Sequence, residues 1–271
     1  MKERYGDWAL VTGATSGIGR ALARNLASKG LNIVAVARTA SALEALEKEL
    51  SAAHGVTVRG LTADLSTTQG IDTLIEGVAD LEIGMLIPCA AIESSGYFVD
   101  GSAQAHARML QMDCYGPMRL VHHFGAAMAQ RGRGAILLVS SLSGWMAQPY
   151  MAHYGAAKSY ILALGEALHH EMRDKGVDVS VLSPGPTDTA MAAGTGIDFA
   201  SMGMVVMRPE DVAAAGLSAL GRSAHAVPGV RNKLMLVMMT RLMPRWLVGR
   251  MFRWMMGRAL GIPRAVPAPS M

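Results

Sequence analysis

The sequence is short of cysteine, of charge and of aromatic residues, and each shortage removes a class of answer. Its two cysteines, Cys89 and Cys114, have neither a CxxC spacing nor a matching pair of histidines. Neither a disulfide framework nor a zinc cluster is indicated, no metal is expected, and a reducing cytosol is the simplest compartment. No uncharged apolar stretch reaches the roughly 20 residues of a spanning helix without a Gly, Ser or Pro interruption. The first strand-like run, WALVTG, begins at Trp8, leaving no room before it for the apolar core of a signal peptide. A cytoplasmic protein is expected.

Acidic residues are absent from one region in particular. Residues 231–260 hold seven Lys or Arg and no Asp or Glu, so the net charge of +4 leaves −3 for everything else. Basic character confined to one segment argues against a nucleic-acid protein, where it would cover a binding face.

Apolar residues are plentiful, at 51% against 17% charged, and 271 residues suit one large α/β domain. The runs WALVTG, LNIVAVAR, VTVRGLTAD, IGMLIPCAA, GAILLVSS and VDVSVLSPG read as strands, spaced by helices such as GRALARNLASKG and SALEALEKELSAAHG. Strands apolar on both faces and separated by helices imply a single doubly wound, Rossmann-type α/β domain, a parallel sheet of about seven strands flanked by helices. Gly30 is expected to close the first long helix, Ser41 to cap the second, and Pro209 with Glu210 and Asp211 to open a later one. The expected division is a catalytic domain over 1–230, a basic amphipathic helical extension over 231–260 and a Pro-rich mobile tail over 261–271.

Between the first strand and the first long helix stands TGATSGIG, Thr12 to Gly19. Gly13 permits the turn, Gly17 and Gly19 let backbone and helix approach a pyrophosphate, and Thr15, Ser16 and Ile18 complete a cradle of N–H groups. After the second strand the position that often carries an acid for a ribose 2′-hydroxyl is Ala37, followed by Arg38 and Thr39. An Arg there suits a 2′-phosphate, which favours NADP, with NAD as the alternative.

The order of TGxxxGxG, Ser141 in LVSSLSG, Tyr154 and Lys158 in HYGAAK, and SPGPTDT resembles the short-chain dehydrogenase/reductase family from about Trp8 to Thr189. The resemblance implies an NADP(H)-dependent oxidoreductase that interconverts a carbonyl and a secondary alcohol. It implies Tyr154 as the acid or base, with Ser141 orienting the substrate oxygen and Lys158 holding the nicotinamide ribose. Residues four apart share a helix face, and an ammonium beside a phenol should lower its pKa towards working pH. The resemblance further places Pro184, Gly185, Thr187 and Thr189 at the nicotinamide end, and Asp64 and Leu65 at the adenine side. A homodimer or homotetramer is the assembly usual in such a family.

Two positions depart from the family pattern. The fourth strand ends in PCAA, Pro88 to Ala91, where NNAG is usual, with only Ala90 matching the cofactor-loop residue. Asp113 stands where an Asn completes the catalytic tetrad, and its charge would favour protonated Lys158. These departures motivate the alternative of a non-catalytic dinucleotide-binding or membrane-associated protein of the same fold. A dehydration or epimerisation on the same fold is a further alternative.

The segment from about 187 to 207, Met-rich and almost uncharged, suits a small hydrophobic substrate such as a ketone, sterol-like or acyl-chain compound; equally, its Met residues could be core packing. Pro244 should split the basic extension into two helices. The second mixes Arg245, Arg250, Arg253 and Arg258 with Trp246, Phe252 and Trp254. That pattern reads as a peripheral contact at the inner face of a membrane, as a lid over the site, or as a subunit contact.

Overall fold

The computed structural model describes residues 1–200 and 202–262. After a short α1 (Lys2–Tyr5), the apolar runs become β1 (Trp8–Thr12), β2 (Asn32–Ala37), β3 (Val58–Thr62) and β4 (Ile83–Ile87), connected by α2 (Gly17–Ala27), α3 (Ala40–His54) and α4 (Thr68–Glu76). Next come α5 (Ala103–Leu110), a π turn over Gln111–Tyr115, α6 (Gly116–Arg131), β5 (Gly134–Val139), α7 (Ala152–Glu171) and β6 (Val177–Leu182). The described chain finishes with α8 (Ala190–Gly194), α9 (Pro209–Ala219), β7 (His225–Ala226), α10 (Val230–Val237) and α11 (Arg245–Ala259).

All strand pairs are parallel, in the order β3-β2-β1-β4-β5-β6-β7. Every residue of β4 and β5 is buried, as expected of strands covered by helices on both faces. On one face α2, α3 and α9 supply Leu22, Leu26, Leu46 and Val212. On the other, α4, α6 and α7 supply Leu74, Leu120, Phe124 and Ile161. The winding direction reverses between β1 and β4, so the carboxyl ends of these strands open the crevice where ligands bind in such sheets.

A third cluster lies over that crevice. Met109, Met151, Tyr154 and Ile197 pack with Met239, Val248, Phe252 and Met256 from the C-terminal helices. Pro244 separates those helices as expected, standing at the N-cap of α11.

Two helix-end expectations are corrected. Gly30 does not close α2, which ends at Ala27 with Ser28 as its cap; Gly30 instead turns the chain three residues later, at φ 81°. Ser41 lies inside α3, whose N-cap is Thr39, because the backbone is already helical at Ala40. Of the expected tail, the residues from 263 onwards lie outside the described residues.

Candidate active site

The loop after β1 is shaped by close backbone approach. Gly13 has φ 66°, and a Cβ there would lie 3.1 Å from Ala90 Cα. A Cβ on Gly19 would lie 2.3 Å from the Gly13 carbonyl oxygen, so the first turn of α2 can pack on the loop only as glycine. Ser16 is the N-cap of α2 but makes no capping hydrogen bond, which leaves the amides of that turn for an incoming anion.

These residues line a cleft of about 470 Å³. Gly13, Thr15, Ser16, Gly17, Ile18 and Gly19 form one wall, Arg38, Thr39 and Leu65 the far end, and Ala90, Tyr154, Lys158, Pro184 and Thr189 the near end. Arg38 is exposed at the cleft, and among the described residues its guanidinium has no hydrogen-bond or ion-pair partner. An amide cradle that a single Cβ would fill fits the pyrophosphate of a dinucleotide.

Asp64 stands apart from this wall. Its Oδ1 accepts from the Ser66 N–H at 3.0 Å and hydroxyl at 2.7 Å, and its Oδ2 accepts from Arg108 at 3.0 Å. The Ser66 hydroxyl and the Arg108 guanidinium hold its pKa below the usual carboxylate value. Thr67, rather than Asp64, caps α4 through the Gly70 N–H.

The PCAA segment keeps its path through β1. The Thr12 hydroxyl oxygen accepts from the N–H groups of both Cys89, at 3.0 Å, and Ala90, at 2.9 Å. One hydroxyl therefore ties the end of β4 to the phosphate loop, without side-chain amides from the segment itself.

The three serines after β5 are sorted by their partners. Ser140 donates to the Lys158 carbonyl at 2.7 Å and Ser143 to Gln148 Oε1 at 2.9 Å. Ser141 Oγ accepts from the Ser143 N–H at 3.1 Å, and its hydroxyl is hydrogen-bonded to the Tyr154 phenol oxygen, a contact that lowers the phenol pKa. Tyr154 and Lys158 follow from α7, both buried, with the ammonium 5.5 Å from the phenol ring centroid. Lys158 Nζ also donates to the Val139 carbonyl at 3.3 Å.

Asp113 lies on the π turn, a local widening of the helix of the sort found at functional sites. Its Oδ1 accepts from the Ile92 N–H at 2.8 Å, and its Oδ2 lies 3.3 Å from Lys158 Nζ. Burial works against the Lys158 ammonium, but the nearby Asp113 and Tyr154 outweigh it and push its pKa up to about 12. Burial raises the Asp113 carboxyl, opposed by the Lys158 charge.

Lys158 does pull the Tyr154 phenol down, as expected, but other effects outweigh it. Burial pushes Tyr154 up to about 12; Lys158 pulls the other way, while Glu93 and Asp113 add to the rise.

A smaller cavity of about 120 Å³ adjoins the cleft, sharing Ile18, Tyr154, Pro184 and Thr189 with it. Gly185 and Thr187 line this cavity, together with Ser141. Its other walls carry the polar Glu93, Ser143 and Gln148 and the apolar Met151, Met191, Phe199, Met202 and Met204, with Phe252 and Met256 of α11. Phe252 and Met256 thus bring the inner face of α11 to the cavity wall.

Three contributors carry no motif. Glu93 lines the small cavity, where burial pushes its carboxyl up to about 7. Asn232 of α10 is buried, donates to the Pro228 carbonyl at 2.9 Å, and would lie 2.8 Å from a Cβ on Gly185, so it props the loop after β6. Tyr150 has φ 68° without being glycine; its carbonyl accepts from the Gly96 N–H at 2.8 Å. Only the unusual acid after PCAA offered a sequence signal for any of them.

A model of the short chain dehydrogenase family matches residues 7–198. A 7beta-hydroxysteroid dehydrogenase of Clostridium sardiniense is 33% identical over 233 residues, covering 86% of this chain and 89% of that protein. A solved structure described for 7beta-hydroxysteroid dehydrogenase stereoselectivity superposes with a TM-score of 0.87 at 28% identity, over 93% of this chain and 98% of that one. A short-chain dehydrogenase from Sphingobium yanoikuyae in complex with NADPH gives 0.78 at 28% identity, over 97% and 98%. With the glycine cradle, Ser141, Tyr154 and Lys158 assembled along one sheet edge, the chain belongs to the short-chain dehydrogenase/reductase family, as an oxidoreductase acting on CH–OH groups.

Proposed function

We propose that the protein uses NADPH to reduce the carbonyl of a bulky, apolar ketone, and oxidises the matching secondary alcohol in reverse. The observation that carries this reading is the complete set of Ser141, Tyr154 and Lys158 at the join between the dinucleotide cleft and a pocket walled by Met and Phe. The kinship with 7beta-hydroxysteroid dehydrogenases supports a fused-ring, sterol-like ligand. The free Arg38 guanidinium beside Ala37 supports NADP over NAD, as does the NADPH complex of the Sphingobium relative.

Gly13, Gly17, Gly19 and the first turn of α2 would hold the pyrophosphate, Arg38 and Thr39 the 2′-phosphate end, and Lys158 the nicotinamide ribose. Bound there, the nicotinamide supplies the hydride for the carbonyl carbon. Ser141, whose hydroxyl rests on the Tyr154 phenol in this structure, turns to donate its O–H to the carbonyl oxygen and stabilises the charge that builds on it. Tyr154, held protonated by burial, gives its phenolic proton to the same oxygen. Lys158 lowers the cost of the phenolate left behind, and Asp113 keeps Lys158 charged for that purpose. The Met and Phe walls exclude water from the reacting oxygen.

NADPH consumption across aliphatic, aromatic, steroidal and acyl-thioester ketones tests the reading, with turnover of bulky ketones and its loss in Tyr154→Phe as the supporting result. If wild type and Asp113→Asn both bind NADPH and turn over none of the panel, the reading fails and a non-catalytic binder replaces it.

The outer face of the C-terminal helices supports a second contact, with an anionic lipid surface. Trp246 and Trp254 are exposed, with Arg250 5.8 Å and Arg258 5.2 Å from their ring centroids, and Leu234, Val237 and Leu242 are exposed on the preceding segment. Stacked Arg and Trp on a segment that holds no Asp or Glu between residues 231 and 260 complement a negative headgroup layer. Among the described residues no helix is long and apolar enough to cross a membrane, so such a contact is peripheral. Co-sedimentation with anionic vesicles that weakens with salt is the supporting result. If Trp246→Ala with Trp254→Ala changes the particle mass by sedimentation and leaves vesicle pelleting alone, the face is a subunit contact of a homodimer or homotetramer instead.

A further inference from the structure

Glu93 is a carboxylate in an unusual place. It follows β4 in a segment pinned at Ile92, whose N–H donates to Asp113 Oδ1 at 2.8 Å, so its backbone is fixed by the same contact that seats Asp113. It shares the small cavity with Ser141 and Tyr154, whose lining also holds Ser143 and Gln148 among thioether and phenyl groups. Among the described residues its carboxyl group has no hydrogen-bond or ion-pair partner. The cation nearby, Lys158 of α7, is already paired with Asp113 of the π turn.

Glu93 is half-buried, and a carboxyl group partly withdrawn from water without a protein partner gains when a ligand brings a donor. Resting on the carbonyl-reductase reading above, we propose that Glu93 is a specificity-determining residue that accepts a hydrogen bond from a second hydroxyl of the substrate, on a carbon close to the reacting carbonyl. The preferred substrate is then a hydroxyketone, or in reverse a diol, with bulky apolar flanks. Glu93 lines the same cavity as Ser141 and Tyr154 and lies near enough for its charge to act on the Tyr154 phenol, which keeps that hydroxyl within a few bonds of the carbonyl. Burial, opposed by the Lys158 charge and assisted by that of Asp113, pushes the Glu93 carboxyl up to about 7, so both its forms are present at neutral pH. Each form retains an oxygen that accepts from a hydroxyl, whereas an ammonium ligand would suit the ionised form alone.

The test compares two ketones that differ by one non-oxidisable hydroxyl, cyclohexyl phenyl ketone and 1-hydroxycyclohexyl phenyl ketone. Calorimetry on the full-length protein saturated with NADP+ reports their binding with no reduction in progress. Wild type should bind the hydroxyketone about tenfold more tightly than the plain ketone. Glu93→Leu should lose that preference, read as the ratio of the two affinities within each variant, while Glu93→Gln, whose amide oxygen still accepts, should keep part of it. The same preference in wild type and Glu93→Leu, or no binding of either ketone to wild type, overturns the proposal. NADPH turnover of the plain ketone reports separately on the carbonyl chemistry: a Glu93-dependent preference without turnover upholds the hydroxyl contact and sinks the reductase reading.

Discussion

The phosphate cradle and the C-terminal roof meet at the same pocket, yet they are built on opposite plans. The cradle is backbone against backbone: Gly19 fits under the Gly13 carbonyl with no room for a methyl group, and Thr12 clamps two amides of the facing strand end. The roof is side chain against side chain, with Met239, Val248, Phe252 and Met256 packed over Met109 and Met151. Backbone contacts have few alternatives, whereas thioethers re-pack at small cost. Binding of an invariant cofactor falls to the first plan and accommodation of a variable substrate to the second.

The largest expected effect lies where the two regions join. Tyr154→Phe should lower kcat by about a thousandfold or more while leaving the Kd for NADPH within about twofold, because it removes the proton and leaves the cradle intact. Steady-state kinetics with nucleotide titration checks both halves. If NADPH binding falls in parallel, the join is mainly structural.

Phe252→Ala tests the roof. Truncating this buried ring should cost about 3 kcal/mol of stability, read by denaturant unfolding, and raise the KM for a bulky ketone without weakening NADPH binding. Cutting the chain near residue 230 would be a poorer test of lipid contact, because it also removes Phe252 and Met256 from the pocket wall.

Arg38→Ala tests the cradle at its far end. Loss of one charge-assisted contact should weaken NADPH binding by about tenfold and leave NADH binding near its original value. Unchanged discrimination between the two nucleotides would refute the assignment of the 2′-phosphate to this guanidinium.

Asp113→Asn probes the join by charge. Alcohol oxidation needs Tyr154 as a base, and burial with its acidic neighbours raises the phenol pKa, so the oxidation rate should climb as pH rises towards that value. Removing the Asp113 charge lowers the Tyr154 pKa, and the rise should come at lower pH. A pH profile of oxidation displaced to higher pH, or not displaced, contradicts the electrostatic link. The smallest effect belongs to the outer surface: Trp254→Ala should change stability by no more than about 0.5 kcal/mol, yet reduce pelleting with anionic vesicles.

The cradle was far more legible in the sequence than the roof, and the same contrast explains why. Strand order, the cradle and the trio of Ser141, Tyr154 and Lys158 depend on local spacing, which apolar runs and glycines record directly. What a sequence does not carry is the environment a side chain meets. The Tyr154 pKa went up because burial outweighed the lysine, and burial of a helix tyrosine depends on Met and Phe residues a hundred positions later. Asn232 and Glu93 have roles only because of what faces them, Gly185 in one case and Ser141 with Tyr154 in the other. The helix ends at Ser28 and Thr39 were misplaced by a few residues because Gly30 and Ser41 are good terminators and caps wherever they occur.

The Thr12 hydroxyl, finally, has a consequence on the timescale of motion. By holding the amides of Cys89 and Ala90 together, it makes the ends of β1 and β4 open only as a unit. Amide hydrogen exchange at these two positions should therefore be among the slowest in the chain and should quicken together in Thr12→Val, however much the methionine roof above them fluctuates.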